Sequence, residues 1–471
     1  MLKIPMKKYK NDMLETLSRL IAIPSVKGEA ELNMPYGRNV FRALMMMLDR
    51  AERLDLESVN LFGHMGYATY GSGSETFAIL THLDVVPAGE GWETDPFQAV
   101  IKDGRIYGRG AVDDKGAAVA ALYALHAVKN SCISLNKQVK VFFGCDEESG
   151  WGDIDYYKAH YPELDYVISP DAFFPIINRE KGTLHIRLFR ACGVSESGTA
   201  ILSLQSGSRP NIVPNKARCT LRAPRETIAQ MAEVFGEGLP ASLRVEGGDG
   251  RVEVYCEGKA AHGAHPELGV NALCYLLAFL NILPLSDGAA EQFTYALASK
   301  VGLEIDGRTL GIAGSDELSG ALSVNLGAME LREDGMEAKL DIRFPISMNA
   351  AEIFSRVKDV FAPLGIEAEI LHAMEPHYVD ENTPFIQSLK RVYEDQFGEE
   401  AECCCCAGAT YARAFKNSVA FGPVPKDRPD VEHGPNEYMQ IDDIVKLAEV
   451  IAAAIVEVAT DPKDREDIFS F

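Results

Sequence analysis

Phe77-Ala78-Ile79-Leu80-Thr81-His82-Leu83-Asp84 is an apolar run that ends in an imidazole and a carboxylate. Unbroken apolar residues over 77–80 suit a strand buried on both faces, as in a parallel sheet. Two similar runs follow, Val139 to Phe143 and Tyr166 to Ile168, and a helical pattern from Gly116 to Val128 lies between the first two. Strand, helix, strand in that order predicts an α/β fold. Each run leads at once into polar residues: His82 and Asp84, then Asp146, Glu147 and Glu148, then Asp171. Ligands gather at the carboxyl ends of strands in open α/β sheets.

On the N-terminal side, Met13, Leu14, Leu17, Leu20 and Ile21 recur at helical spacing before Pro24. On the C-terminal side the pattern changes near Lys181. Strand-like stretches (Leu184 to Phe189, Arg251 to Tyr255, Ala338 to Phe344) alternate there with helical ones (Thr227 to Phe235, Gly269 to Leu280). This predicts a separate α+β domain over 181–376. After Pro376, helix-like Pro384 to Tyr393, strand-like Ser418 to Phe421 and the long helix Ile441 to Thr460 complete the first domain, which then comprises 1–180 and 377–471. The C-terminal helix, with Ile444, Leu447, Ile451 and Ile455 on one side, reads as core.

At 471 residues the chain has room for two or three domains, and 47% hydrophobic with 24% charged residues excludes a largely disordered or fibrous chain. A net charge of −23 without a basic patch argues against nucleic acid or anionic membrane as a partner. Lys7, Lys8 and Lys10 lead into an amphipathic pattern, so a classical signal peptide is not expected. The most apolar stretch, Gly269 to Leu285, falls short of the ~20 residues of a membrane span and reads as a buried helix. Ten cysteines, four of them consecutive at Cys403 to Cys406, lack the spacing of a disulfide framework and fit a cytoplasmic chain with reduced thiols. Neighbours in an extended chain point to opposite faces, so the four cysteines are expected to be buried structural thiols rather than one metal-thiolate site.

Five short motifs carry chemistry. His82 and Asp84 share one strand face, where the acid can accept the second ring N–H of a metal-binding imidazole. Gly108 to Gly116 is a glycine-rich turn into a helix whose N-terminus favours Asp113 or Asp114. The run Asp146-Glu147-Glu148 needs solvent or a cation to relieve its repulsion. Ser169-Pro170-Asp171 and Glu432-His433-Gly434 complete the set. Each alone is an ordinary turn or cap; together, at successive strand ends, they are hard-cation and imidazole ligands.

HLDVVPAGEGWETDPF (82–97), GRGAVDDKG (108–116), DEES (146–149), SPDA (169–172) and EHGPNE (432–437) resemble the co-catalytic zinc peptidases that include carboxypeptidases, aminoacylases and carnosinase, and most closely the bacterial PepV-like dipeptidases. The similarity spans nearly the whole chain. It implies an α/β/α catalytic domain with a central mixed sheet, interrupted by an inserted α+β lid domain. It also implies two divalent ions, zinc with Mn or Co as alternatives. Asp113 bridges them, His82 and Asp171 complete one site, and Glu148 and His433 complete the other. Glu147 becomes the general base and Asp84 orients His82. Two divalent cations against three carboxylates and a bridging hydroxide leave such a site neutral, as a dry site requires.

In the inserted segment, His262 of Gly258-Lys259-Ala260-Ala261-His262 matches the family's oxyanion-donating histidine, leaving His265 as a bystander. Asn211 and Arg343 match substrate-holding positions, and arginine's fork suits a free carboxylate. Gly408, Thr410 and Arg413 fall in a pocket-lining segment where Ala407, Ala409 and Ala412 replace the glycines of the PepV-like group. His126, His160, His185, His372 and His377 are expected to be structural. The resemblance implies a monomer, with a doubled lid in place of a partner's. Its favoured activity is hydrolysis of unblocked dipeptides. Deacylation of N-acyl amino acids and a non-catalytic binding role are the alternatives, the latter opposed by an intact Glu147.

Overall fold

The computed structural model describes residues 4–429 and 431–461. The chain divides into two compact units. One comprises residues up to Arg179, Tyr378–Cys404 and the segment from Ala409 onward; the other comprises Glu180–His377 and Cys405–Gly408.

In the first unit a mixed sheet runs, in spatial order, Glu57–Leu61, Met65–Tyr70, Gln138–Gly144, Thr76–His82, Tyr166–Ser169, Ser418–Ala420 and Ile176–Glu180. Its centre is parallel, with Thr76–His82 between Gln138–Gly144 and Tyr166–Ser169; the Glu57–Tyr70 hairpin adds an antiparallel edge. Side chains alternate across the strands. Phe77 and Ile79 pack with helices Lys10–Ile21, Arg38–Arg53, Lys115–Asn130, Pro384–Phe397 and Ile441–Ala459. Ala78 and Leu80 face the other way, against Ile154 and Tyr157 of helix Gly152–His160 and against Tyr411. The architecture is therefore α/β/α, with both sheet faces covered. Phe77, Phe142 and Phe143 are fully buried, each worth about 1.5–3 kcal/mol of transfer free energy. Helix Lys115–Asn130 is buried almost all round, because its alanines let it lie closely on Ile441–Ala459. Its first residue follows directly from Asp113-Asp114.

The second unit is built on an eight-stranded antiparallel sheet, in spatial order Ser242–Gly248, Arg251–Glu257, Lys216–Arg222, Ala200–Ser206, Ser323–Leu331, Gly335–Phe344, Gly182–Ala191 and Glu367–Met374. One face, carrying Leu184, Ile186, Leu188, Leu340 and Ile342, forms a core with helices Arg225–Gly236, Ala272–Ile282, Ala289–Lys300 and Ala350–Phe361. The alternate residues Thr183, His185 and Arg187 pair in register with Arg343, Asp341 and Lys339 on the opposite, polar face. The middle of the sheet, between Ala200–Ser206 and Ser323–Leu331, registers two residue pairs, Gln205↔Glu330 and Ser206↔Met329. The Gly269 to Leu285 stretch contributes the core helix Ala272–Ile282, capped by the Asn271 side chain.

No helix among the described residues is long and apolar enough to cross a membrane. None of the ten cysteines lies in a disulfide. Cys403–Cys406 forms a strand, but its four residues are half-buried and not buried as expected, because this short strand flanks the main path of the sheet and pairs with one neighbour.

Candidate metal centre

His82 ends its strand with the ring turned toward Tyr411. Its Nδ1 lies 3.0 Å from the backbone carbonyl of Asp84 and 3.5 Å from that residue's carboxylate. A carbonyl can only accept, so Nδ1 carries the proton and the Nε2 lone pair points into the site. The closer partner is thus the main chain of Asp84 and not its side chain. The Asp84 carboxylate instead accepts the backbone N–H of Glu147 at 3.2 Å and of Glu148 at 3.1 Å, which ties the acidic run to the His82 strand end.

His82 Nε2 is 3.0 Å from Asp113 Oδ1 and 3.6 Å from Asp171 Oδ1. The other oxygen of Asp113 is 2.8 Å from His433 Nε2, which lies 3.2 Å from Glu148. Two donor groups result, His82-Asp113-Asp171 and Asp113-Glu148-His433, each with its ligand atoms within 4.8 Å of one another, and they share Asp113. Lone pairs that converge so closely repel unless a cation lies among them. Imidazole with carboxylate is a donor set for Zn²⁺, Mn²⁺ or Co²⁺, so these residues fit two divalent ions.

The protonation equilibria carry the same strain. Burial, then the charge of Asp171, pushes Glu147 well above the ordinary carboxylate range. Burial, then the charge of Asp113, lifts Glu148 to about 7. Burial opposes charge on His433, yet hydrogen bonds to Asp113 and Glu148 raise it to about 11. Burial would raise Asp113 too, but the His433 and His82 imidazoles hold it well below its usual value.

Residues 78–457 match the profile of the peptidase family M20/M25/M40. The chain belongs to that family. This M20 metallopeptidase is 35% identical over 459 residues to "Putative dipeptidase YtjP" of Bacillus subtilis (strain 168), covering 96% of this chain and 98% of the relative. It is 32% identical over 457 residues to the Beta-Ala-Xaa dipeptidase of Lactobacillus delbrueckii subsp. lactis, covering 96% and 97%. Human carnosine dipeptidase 1 shares the fold at 16% identity, with a TM-score of 0.58 over 96% of this chain and 97% of that one.

In the second unit of this M20 peptidase, His262 and Ile212 are paired across a short two-stranded ladder, and Gly263 N–H donates to the Asn211 carbonyl at 2.8 Å. Asn211 and His262 are thereby neighbours. The Asn325 amide fixes the Asn211 segment by donating to the carbonyls of Pro210 and Ile212. His262 Nδ1 accepts the Ala264 N–H at 3.2 Å, which leaves the proton on Nε2. Arg343 is buried against fully buried Asp341. Gly408 N–H donates to Cys406 Sγ in this unit. Thr410 and Arg413 belong to the first unit, where Thr410 Oγ1 caps the short helix Tyr411–Ala414.

Asp114, the alternative to Asp113 in the glycine-rich motif, accepts the His82 backbone N–H at 3.1 Å. Two further acids around the M20 site, Asp153 and Glu437, were given no role by the motifs. Fully buried Asp153 accepts the N–H groups of Cys145 and Asp146 and the Tyr411 hydroxyl. Glu437, the last residue of the quoted EHGPNE, is also fully buried. Its legible signal was an acid four residues after the candidate histidine; its pairing with Arg109 of the glycine-rich loop was not.

Proposed function

We propose that this chain is a dinuclear metal-dependent dipeptidase that hydrolyses unblocked dipeptides, with Zn²⁺ as its ion and Mn²⁺ or Co²⁺ as chemically suitable substitutes. The observation that carries the reading is the sharing of Asp113 between two histidine–carboxylate groups; the names of the two bacterial relatives supply the substrate class. Asp113 would bridge the ions, with His82 and Asp171 holding one and Glu148 and His433 the other. When bound, such a pair of ions lowers the pKa of water and polarises a scissile carbonyl.

The remaining work falls to side chains. Glu147, tied through its N–H to Asp84, accepts the proton of the attacking water at its carboxylate and passes it to the leaving amine. His262 donates from Nε2 to the developing oxyanion. Asn211, Arg343, Gly408, Thr410 and Arg413 hold the substrate, and the inserted 181–376 domain acts as the lid of a monomer. Ten cysteines outside any disulfide suit a reducing cytoplasm.

The test is hydrolysis of a free dipeptide panel, and of the same amino acids N-acylated, by the metal-reconstituted protein and its Glu147→Gln variant. The expected result is cleavage of free dipeptides alone, with kcat reduced about 10²–10⁴-fold in the variant and metal content unchanged. Cleavage of the acylated compounds alone would move the assignment to a deacylase. Unchanged turnover in the variant would remove Glu147 as base.

A further inference from the structure

We infer that Arg109 and Glu437 form a buried positioning pair that sets the placement of Asp113 relative to His433, and hence the strength of metal binding; this rests on the two-metal reading above. Both side chains are almost wholly excluded from solvent, at 1% and 0% exposure, so the pair is not a surface ornament.

Glu437 Oε1 accepts the backbone N–H of Val112 at 3.0 Å and of Asp113 at 3.3 Å. Its Oε2 accepts the Gly110 N–H at 3.1 Å and Arg109 Nη1 at 2.7 Å. One carboxylate thus gathers three main-chain donors of the glycine-rich loop, at Gly110, Val112 and Asp113, the last of them the N–H of the aspartate proposed to bridge the ions. The Glu437 carbonyl also accepts the Gly108 N–H at 3.0 Å.

Arg109 carries the connection onward. Its Nη2 donates to the carbonyl of His433 at 3.1 Å, to that of Ala88 at 3.2 Å and to that of Pro87 at 3.4 Å. Its guanidinium also lies over the Trp92 ring, 5.3 Å from the centroid. His433 itself sits on a loop with its side chain 56% exposed, so little packing holds it. The main-chain grip from Arg109 is what ties the carbonyl of His433 to the loop that presents Asp113. A ligand on an exposed loop gains affinity when its backbone is held in the binding geometry beforehand.

The two members act on different sites. Asp113 serves both metals, so loosening its loop at Glu437 weakens both. His433 serves one, so loosening it at Arg109 weakens that one.

The experiment is calorimetric titration of Zn²⁺, buffered by a competing chelator, into the metal-free full chain, its Arg109→Lys variant and its Glu437→Gln variant, with circular dichroism and melting of each metal-free protein alongside. Wild type is expected to take up two equivalents. Arg109→Lys, which keeps a charge for Glu437 but loses the reach to His433, is expected to bind one equivalent as wild type does and the other about 10–100-fold more weakly. Glu437→Gln turns an amide against the loop donors and is expected to weaken both. A merely structural pair would shift the melting of the metal-free protein without separating the two affinities, and that result would overturn the inference, as would two wild-type affinities in both folded variants. Should Glu437→Gln fail to fold, Arg109→Lys decides alone. Fewer than two equivalents in wild type would overturn the two-metal reading together with this one.

Discussion

Arg343 has five N–H donors, and four are engaged: Nε and Nη2 with Asp341 at 2.8 and 3.1 Å, and Nη1 with Thr183 Oγ1 at 2.9 Å and the Ala407 carbonyl at 3.0 Å. Among the described residues this leaves one Nη2 N–H for a ligand, so a two-pronged grip on a substrate carboxylate requires an existing bond to be exchanged. Removing the side chain also takes the guanidinium from fully buried Asp341 and leaves its carboxylate only His185 Nε2, at 3.3 Å, as a nearby ion-pair partner among the described residues. Arg343→Ala should therefore raise KM for free dipeptides and, in addition, cost about 3–5 kcal/mol of stability, as broken buried pairs do. Equilibrium urea unfolding measures the second effect, and a loss under 1 kcal/mol would show that Asp341 is satisfied without it. The arginine was legible from the sequence as a candidate. Its engagement was not: Asp341 lies two residues away on the same strand face, yet spacing says nothing of Thr183 or Ala407, which reach it from distant segments. Residue types and strand ends made the candidate donor groups readable, because His82, Glu148 and Asp171 all follow obvious apolar runs. A supporting acid such as Asp153, which holds the N–H groups of Cys145 and Asp146 just before Glu147, carries no pattern of its own.

The connection from Cys145 to Asp153 shows what an element needs beyond its pattern. It carries Glu147 and Glu148, and it folds around Asp153, whose carboxyl is pushed up to about 7, chiefly by burial. A carboxyl with a raised native pKa binds more protons folded than unfolded. Its contribution is full below its unfolded value near 4 and is lost as pH rises through about 7. Asp153→Asn removes this slope. The melting temperature of the variant should therefore gain on that of the metal-loaded wild type between pH 5 and pH 8, and parallel curves would refute the account. Legibility among elements followed burial. The three central strands and helix Lys115–Asn130 were readable because they are apolar on every side. Helix Arg38–Arg53 was not, since it begins after Gly37 with no side-chain cap to mark its start. Nor was the edge strand Glu57–Leu61, where only Leu61 is buried and the apolar signal of a core strand is lacking.

For the molecule as a whole, the acidic excess of −23 includes a knot of carboxylates that metal ions would neutralise in the folded state alone. Chelation should then lower the melting temperature as well as abolish hydrolysis. The stability lost is about 2.7 kcal/mol for each site held at a hundredfold its dissociation constant. Differential scanning calorimetry with and without chelator would reveal it, and coincident transitions would mean that metal binding and folding are not linked. The alternation of α/β and α+β segments was readable from local pattern. The closure of Glu437 onto a loop more than three hundred residues earlier was not, because long-range pairing leaves no periodic trace. The eight-stranded sheet carries a different lesson. At its two-pair junction, a methyl group on Gly207 would lie 1.9 Å from the Gly327 carbonyl oxygen, and one on Gly327 would lie 2.2 Å from that of Pro210. Backbone there touches backbone, so the join behaves as a mutational fault line. Any side chain added at either glycine must wedge the two half-sheets apart, and the displacement would travel through Pro210 to Asn211 next door.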